Sequence, residues 1–165
     1  MKKKLVVVAA LVVLVTGFAA AQTDTASITL TGTVTPLVNI TINPAAGYDS
    51  LDLLIDVTDL TVATVNEYSN VAAGYTVTLE SATATAGTSN PVLSDGTNSL
   101  DYSLNYGGVA VPITGGGAVT VSDTFGPSSS PAGSDKVLAI SYAGSAVTLP
   151  DGSYSDTLTF TITGK

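Results

Sequence analysis

The chain predicts an all-β fold, an antiparallel β-sandwich, and three observations carry that expectation. Runs of strand length rich in Val, Thr, Ile and Tyr recur along the sequence. Clusters of Gly, Pro, Asn, Asp and Ser punctuate them at short, regular intervals. No stretch beyond the amino-terminal leader sustains a helical period of apolar residues.

The first element expected is an export signal. Lys2, Lys3 and Lys4 form a basic start, Leu5 to Val15 is an apolar run, and Ala19-Ala20-Ala21 before Gln22 supplies small residues for cleavage. The apolar run is shorter than the ~20 residues that a membrane-spanning helix needs. The expectation is therefore a signal peptide over 1–21, an amino-terminal segment over 22–35 and a sandwich domain over 36–165. The mature chain is expected in the periplasm, at the cell surface or outside the cell, with no transmembrane anchor.

The segment after the signal has the most regular pattern in the chain. Every even position from 28 to 42 is apolar, Gly or Pro: Ile28, Leu30, Gly32, Val34, Pro36, Val38, Ile40 and Ile42. The odd positions between them are mostly Thr. A period of two places alternate side chains on opposite faces of a strand, so the segment has one apolar and one polar face. Strands are expected at Ser27–Thr35, Val38–Asn43, Leu51–Val57, Leu60–Val65, Tyr75–Ser81, Leu100–Tyr106, Val109–Ile113, Ala118–Ser122, Lys136–Tyr142 and Ser155–Thr163. Turns are expected at Asn43-Pro44 through Gly47, Asp95-Gly96, Gly107-Gly108, Gly115-Gly116-Gly117, Pro127 to Gly133 and Asp151-Gly152. The low-complexity stretch Ser81–Asn90 reads as a loop or a frayed strand.

Composition excludes several function classes. Without the signal, two lysines, Lys136 and Lys165, face thirteen acidic residues, and the chain has no His and no Arg. A nucleic-acid binder must neutralise phosphates with basic side chains, and binding to anionic lipid needs the same groups. Neither is expected. With neither His nor Cys, the chain lacks a Ser-His-Asp triad, a thiol nucleophile and the usual zinc ligands. A two-carboxylate glycosidase would have only Glu67 and Glu80 as glutamates, and no Trp to line a sugar cleft. No enzyme activity, cofactor or metal site is expected. The acidic group Asp49, Asp52, Asp56 and Asp59 is weighed for calcium, but its spacing matches no known loop repeat, and Asp52 and Asp56 fit the outer face of a strand. Asn39-Ile40-Thr41 matches a glycosylation sequon and reads as chance on a strand. Tyr102 and Tyr106, on alternate positions before Gly107-Gly108, are the best anchors for a ligand such as a sugar. The competing reading packs one Tyr face into the sandwich.

The last strand mirrors the first, with Tyr154, Leu158, Phe160 and Ile162 on even positions and threonines between them. Here the chain resembles chaperone–usher pilins and the related spore coat protein U-like secreted proteins. The resemblance is carried by Ser27-Ile-Thr-Leu-Thr-Gly-Thr-Val34 and by Gly152-Ser-Tyr154 with Leu158-Thr-Phe160-Thr-Ile162. A weaker echo runs from Val65-Asn-Glu-Tyr-Ser-Asn70 into Gly74-Tyr75-Thr-Val-Thr-Leu79. It implies an immunoglobulin-like sandwich that lacks one strand and receives it from the next subunit. Ile28, Leu30 and Val34 would then be donor side chains, Gly32 would lie where the acceptor is shallow, and Tyr154, Leu158, Phe160 and Ile162 would belong to the acceptor strand. Expected partners are further copies or related subunits, with a periplasmic chaperone and usher. The chain departs from those pilins in having no Cys, where most carry a disulfide near the first strand. Two functions stay open: a fibre or coat subunit joined through its amino-terminal strand, and a self-complete monomeric adhesin or carbohydrate-binding module.

Overall fold

A computed structural model describes residues 23–84, 90–113, 116–145 and 148–165. The expected signal peptide, the middle of the Ser81–Asn90 loop and Gly115 lie outside the described residues. The chain divides into two units, Met1–Thr33 and Val34–Lys165. In the first, the described residues contain no helix or strand.

The second unit is built from ten strands. They are β1 (Val38–Pro44), β2 (Val57–Ser69), β3 (Tyr75–Ser81), β4 (Val92–Ser94), β5 (Ser99–Asp101), β6 (Ser103–Tyr106), β7 (Val109–Val111), β8 (Val119–Thr124), β9 (Ser134–Tyr142) and β10 (Leu158–Gly164). A five-stranded sheet has the order β1-β2-β9-β6-β7, a three-stranded sheet the order β10-β3-β8, and β4 and β5 form a small ribbon. All the pairings are antiparallel. The two larger sheets share one core, made of Val65, Leu104, Leu138 and Ile140 from the first and Leu79 from the second. The protein is an all-β antiparallel sandwich.

Alternation explains most of these strands. In β3, Tyr75, Val77, Leu79 and Ser81 are buried while Thr76 and Thr78 are half-buried, which is the period of two written in the sequence. Strand β2 is longer than the alternation around Leu60–Val65 suggests. It starts at Val57, and its pairing with β9 shifts register between Val57 and Leu60 and again between Thr61 and Ala63. Asp59 lies at the first shift with φ at +50° and gives its amide to Ser141 Oγ at 2.9 Å. Such a bulge increases strand twist and bends a long strand over the core.

Three expectations need correction. Leu51–Val57 is a loop up to Asp56, because its polar groups are used outside any ladder. Leu54 N donates to Asp52 Oδ1 at 3.0 Å, Ser145 N donates to Leu53 O at 2.9 Å, and Gly144 N donates to Asp56 Oδ1 at 2.8 Å. Leu100–Tyr106 is broken at Tyr102, whose amide turns away to Pro91 O, so one expected strand becomes β5 and β6 in different sheets. Ser27–Thr35 contains no strand. The Asp95-Gly96 turn forms as expected between β4 and β5. Asp95 Oδ1 accepts the amides of Thr97 and Asn98, and with the Asn98 side chain they hold its carboxyl down at about 2.

Gly74 shows where backbone geometry dictates the residue. Its φ is +101°, and a Cβ there would collide with the Thr124 carbonyl across the β3–β8 pair. Gly74→Ala should lower stability by about 1–3 kcal/mol, read as a drop in thermal midpoint, while Gly96→Ala, with open space around it, should cost less.

Candidate functional site

The described sandwich leaves an edge open between β1 and β10. Strand β10 is paired with β3 on one side only, and the other side carries no strand among the described residues. Its inward side chains show the consequence. Leu158, Phe160 and Ile162 are only half-buried, while their neighbours on β3, Leu79 and Val77, are fully buried. Across from them, Ile42 on β1 is 43% exposed. Between these strands runs a groove of about 300 Å³, lined by Ile42, Val62, Leu138, Ile140, Leu158 and Phe160 among others. Its floor is the core itself, so water there covers apolar surface that a complete sandwich would bury.

At the Leu158 end the groove shares Tyr48, Leu51, Leu93 and Asp156 with a wider cleft of about 820 Å³. That cleft brings together Asp49, Asp52, Asp151 and Asp156. At the other end Lys165 lies over the Phe125 ring and pairs with Asp123. Tyr154 stands beside the cleft rather than on β10, with its hydroxyl donating to Pro150 O at 2.9 Å.

Ile28, Leu30 and Val34 are each 85% exposed, and nothing lies within 4 Å of where a Cβ on Gly32 would be. These are large apolar side chains in water, spaced two apart.

Tyr102 and Tyr106 turn inward and do not form the open aromatic face considered for a ligand. Each is almost completely buried. The Tyr106 hydroxyl donates to Glu67 Oε1 at 2.5 Å, and the Tyr102 hydroxyl donates to Asp156 Oδ2 at 2.5 Å. Glu67 is 0% exposed on β2, and its Oε2 also accepts from Tyr75 at 3.2 Å and Ser122 at 3.0 Å. One carboxylate thus joins β2 and β6 of one sheet to β3 and β8 of the other. Asp156 does similar work at the groove mouth, accepting from Ser81 Oγ at 2.6 Å as well as from Tyr102. Hydroxyl donors supply here what a cation supplies in a buried ion pair. Glu67 was legible only as one of two glutamates, since an acid inside an alternating run reads as an outward position.

Among the described residues no group of three or more His, Cys, Asp or Glu side chains is placed to hold a metal ion. None of them forms a helix long and apolar enough to cross a membrane.

No protein-family model matches the chain, and no curated protein matches it. Among solved structures it is similar to HdaB, the minor tip subunit of the E. coli Hda pilus, at 15% identity over 75% of this chain and 79% of that one, with a TM-score of 0.37. An identity and a TM-score that low leave the functional reading to rest on this chain's own groove and segment.

Burial raises the Tyr102 and Tyr106 hydroxyls well above the usual tyrosine value, and the neighbouring carboxylates raise them further. Tyr75 is raised too, first by burial. A group whose folded pKa exceeds its unfolded value of about 10 contributes stability that is complete below pH 10 and is lost as pH rises beyond it. Denaturant midpoints should therefore hold up to about pH 10 and fall above it. Tyr106→Phe, which leaves buried Glu67 one donor short, should cost about 1–3 kcal/mol at neutral pH in the same assay.

Proposed function

We propose that this chain is an exported structural subunit of a surface fibre or coat. Its amino-terminal segment, through Ile28, Leu30, Gly32 and Val34, fills the groove beside β10 of a neighbouring subunit. The observation that carries this reading is the pairing of an open apolar groove on the sandwich with an exposed, alternately apolar segment on the same chain. Strand addition would hydrogen-bond the free backbone edge of β10 and bury the segment's apolar face against Leu158 and Phe160. Each buried aliphatic side chain contributes about 1.5–3 kcal/mol before ordering costs. Because donor and acceptor are different surfaces, the contact repeats head to tail and makes an open filament.

On this reading the groove is a liability until it is filled, since an exposed edge with an apolar floor recruits other chains. A periplasmic chaperone that covers it and an usher that exchanges the cover for the next subunit are the partners the resemblance to pilins implies. No catalytic step enters this function, and no cofactor is assigned to it.

Protein taken from the native surface or periplasmic fraction should run on an unheated denaturing gel as a ladder of multiples that boiling collapses to monomer. Deleting residues 22–35 should abolish the ladder and leave a folded domain with a monomer's mass. A single monomer band in both lanes, with a monomeric mass in solution, would overturn the fibre reading in favour of a self-contained adhesin or binding module.

A further inference from the structure

Resting on that reading, we infer that Asn70 is a positioning residue for assembly: its side-chain amide clamps the joint between the amino-terminal segment and β1, which bars the segment from its own groove and leaves it for a second copy. The joint is Thr35, Pro36 and Leu37.

Pro36 has no amide to donate, so pairing with β2 would stop at it. Asn70, the residue after β2, carries the pairing past it. Its own amide donates to Leu37 O at 3.0 Å, its Oδ1 accepts the Leu37 amide at 2.6 Å, and its Nδ2 donates to Thr35 O at 3.0 Å. The two side-chain bonds need one atom that accepts beside another that donates, which Asn provides and the isosteric Asp does not. They fall on either side of Pro36, whose ring fixes its own φ and holds the preceding residue extended. The joint is therefore set before assembly begins, while Ile28, Leu30 and Val34 ahead of it stand in water.

Such a joint matters because the nearest groove is the chain's own. A short flexible tether gives a segment an effective concentration of roughly millimolar beside its own acceptor, but close to zero when the tether cannot make the connection. β1 starts at the end of the groove where Val38 lies against Gly164, a methyl carbon 3.5 Å from where a Cβ on that glycine would be. To lie beside its own β10, the chain ahead of Val38 must reverse at the joint. The tightest reversal is a β-turn with Pro36 second and Leu37 third, closed by the Val38 amide donating to Thr35 O. The clamp prevents that turn. Leu37 directs its amide and its carbonyl to Asn70, so the Val38 amide, next along an extended strand, points away from β2. Thr35 O is held on the opposite side, by Asn70 Nδ2. A four-residue turn placed ahead of the joint would use up Gly32 through Thr35 and leave only Ile28 and Leu30 to fill the groove. A second copy demands no reversal, so the whole of 28–34 is available to it. A short, stiff joint of this kind favours exchange between chains over closure within one.

The test uses the full chain expressed in its native cell. Asn70→Ala removes both side-chain bonds, while Pro36→Gly leaves Asn70 in place and frees the joint. Each should move the boiling-sensitive ladder toward monomer by roughly tenfold, the worth of two lost hydrogen bonds. Asn70→Asp keeps an acceptor for the Leu37 amide, loses the donor to Thr35 O and should fall between. Co-expression with tagged wild-type chains separates closure from a weakened fold. A self-closed monomer neither gives nor takes a segment and should stay out of the tagged multimers, whereas a weakened chain keeps an open groove and joins them. Ladders unchanged in both Asn70→Ala and Pro36→Gly would overturn the clamp and leave the proposed function standing. Variant monomers that join the tagged multimers would also overturn it. Where Asn70→Ala does not fold, Pro36→Gly decides between the same outcomes. Absence of a ladder from the wild-type chain would overturn the proposed function and the clamp together.

Discussion

The structure depends on a mismatch between its two sheets. Five strands on one side face three on the other, and each buries apolar side chains only as far as the opposite layer extends. On β3, in the middle of the smaller sheet, Val77 and Leu79 have neighbours on every side and no contact with water. One strand further out, on β10, the same alternation yields only half-buried side chains, because among the described residues no strand pairs with its outer edge. Interiors of proteins reach close packing when every side of a residue is occupied. The β10 edge falls short of that, and the groove beside it is the form the shortfall takes.

Holding two unequal sheets in register without a disulfide is a separate problem, and the molecule meets it with buried polar links. Glu67 collects hydroxyl donors from Tyr106 in its own sheet and from Tyr75 and Ser122 in the other. Hydrogen bonds of this kind are directional in a way apolar contact is not, so they define how the layers sit and not merely that they adhere. Each donor belongs to a residue whose remaining bulk is apolar, which lets the link cross the core without leaving a polar atom unpaired. Among the described residues no buried side-chain nitrogen or oxygen lacks a partner. Asp156 extends the scheme to the edge. Its bonds to Ser81 and Tyr102 tie the start of β10 to the core, and it marks the point where apolar groove becomes acidic cleft.

Much of this was legible in the residues. Alternation located Val38–Asn43, Tyr75–Ser81 and Lys136–Tyr142 closely, because a strand with one buried face must repeat every two residues. Asp95-Gly96 was readable as a turn because the Asp side chain satisfies amides two and three residues ahead, a purely local arrangement. Leu51–Val57 misled, since its apolar residues suit a strand while its polar groups bond to residues 142–145 and to Asp52. Val92–Ser94 was missed because three residues are too few to show a period.

By itself the sequence determined which residues share a face, where the chain turns, and that a chain without Cys or His has neither disulfides nor a thiol or imidazole group. Those properties are local or compositional, and neighbours along the chain suffice to set them. Tertiary structure alone decided which face looks inward and, among the described residues, which strand edge is left unpaired. Tyr102 and Tyr106 were plainly on one face, yet the carboxylates they meet lie 54 and 39 residues away. Their inward orientation follows from how separate strands assemble. The open edge of β10 has the same origin, because a strand's own residues specify its pattern but not how many neighbours the sheet will give it.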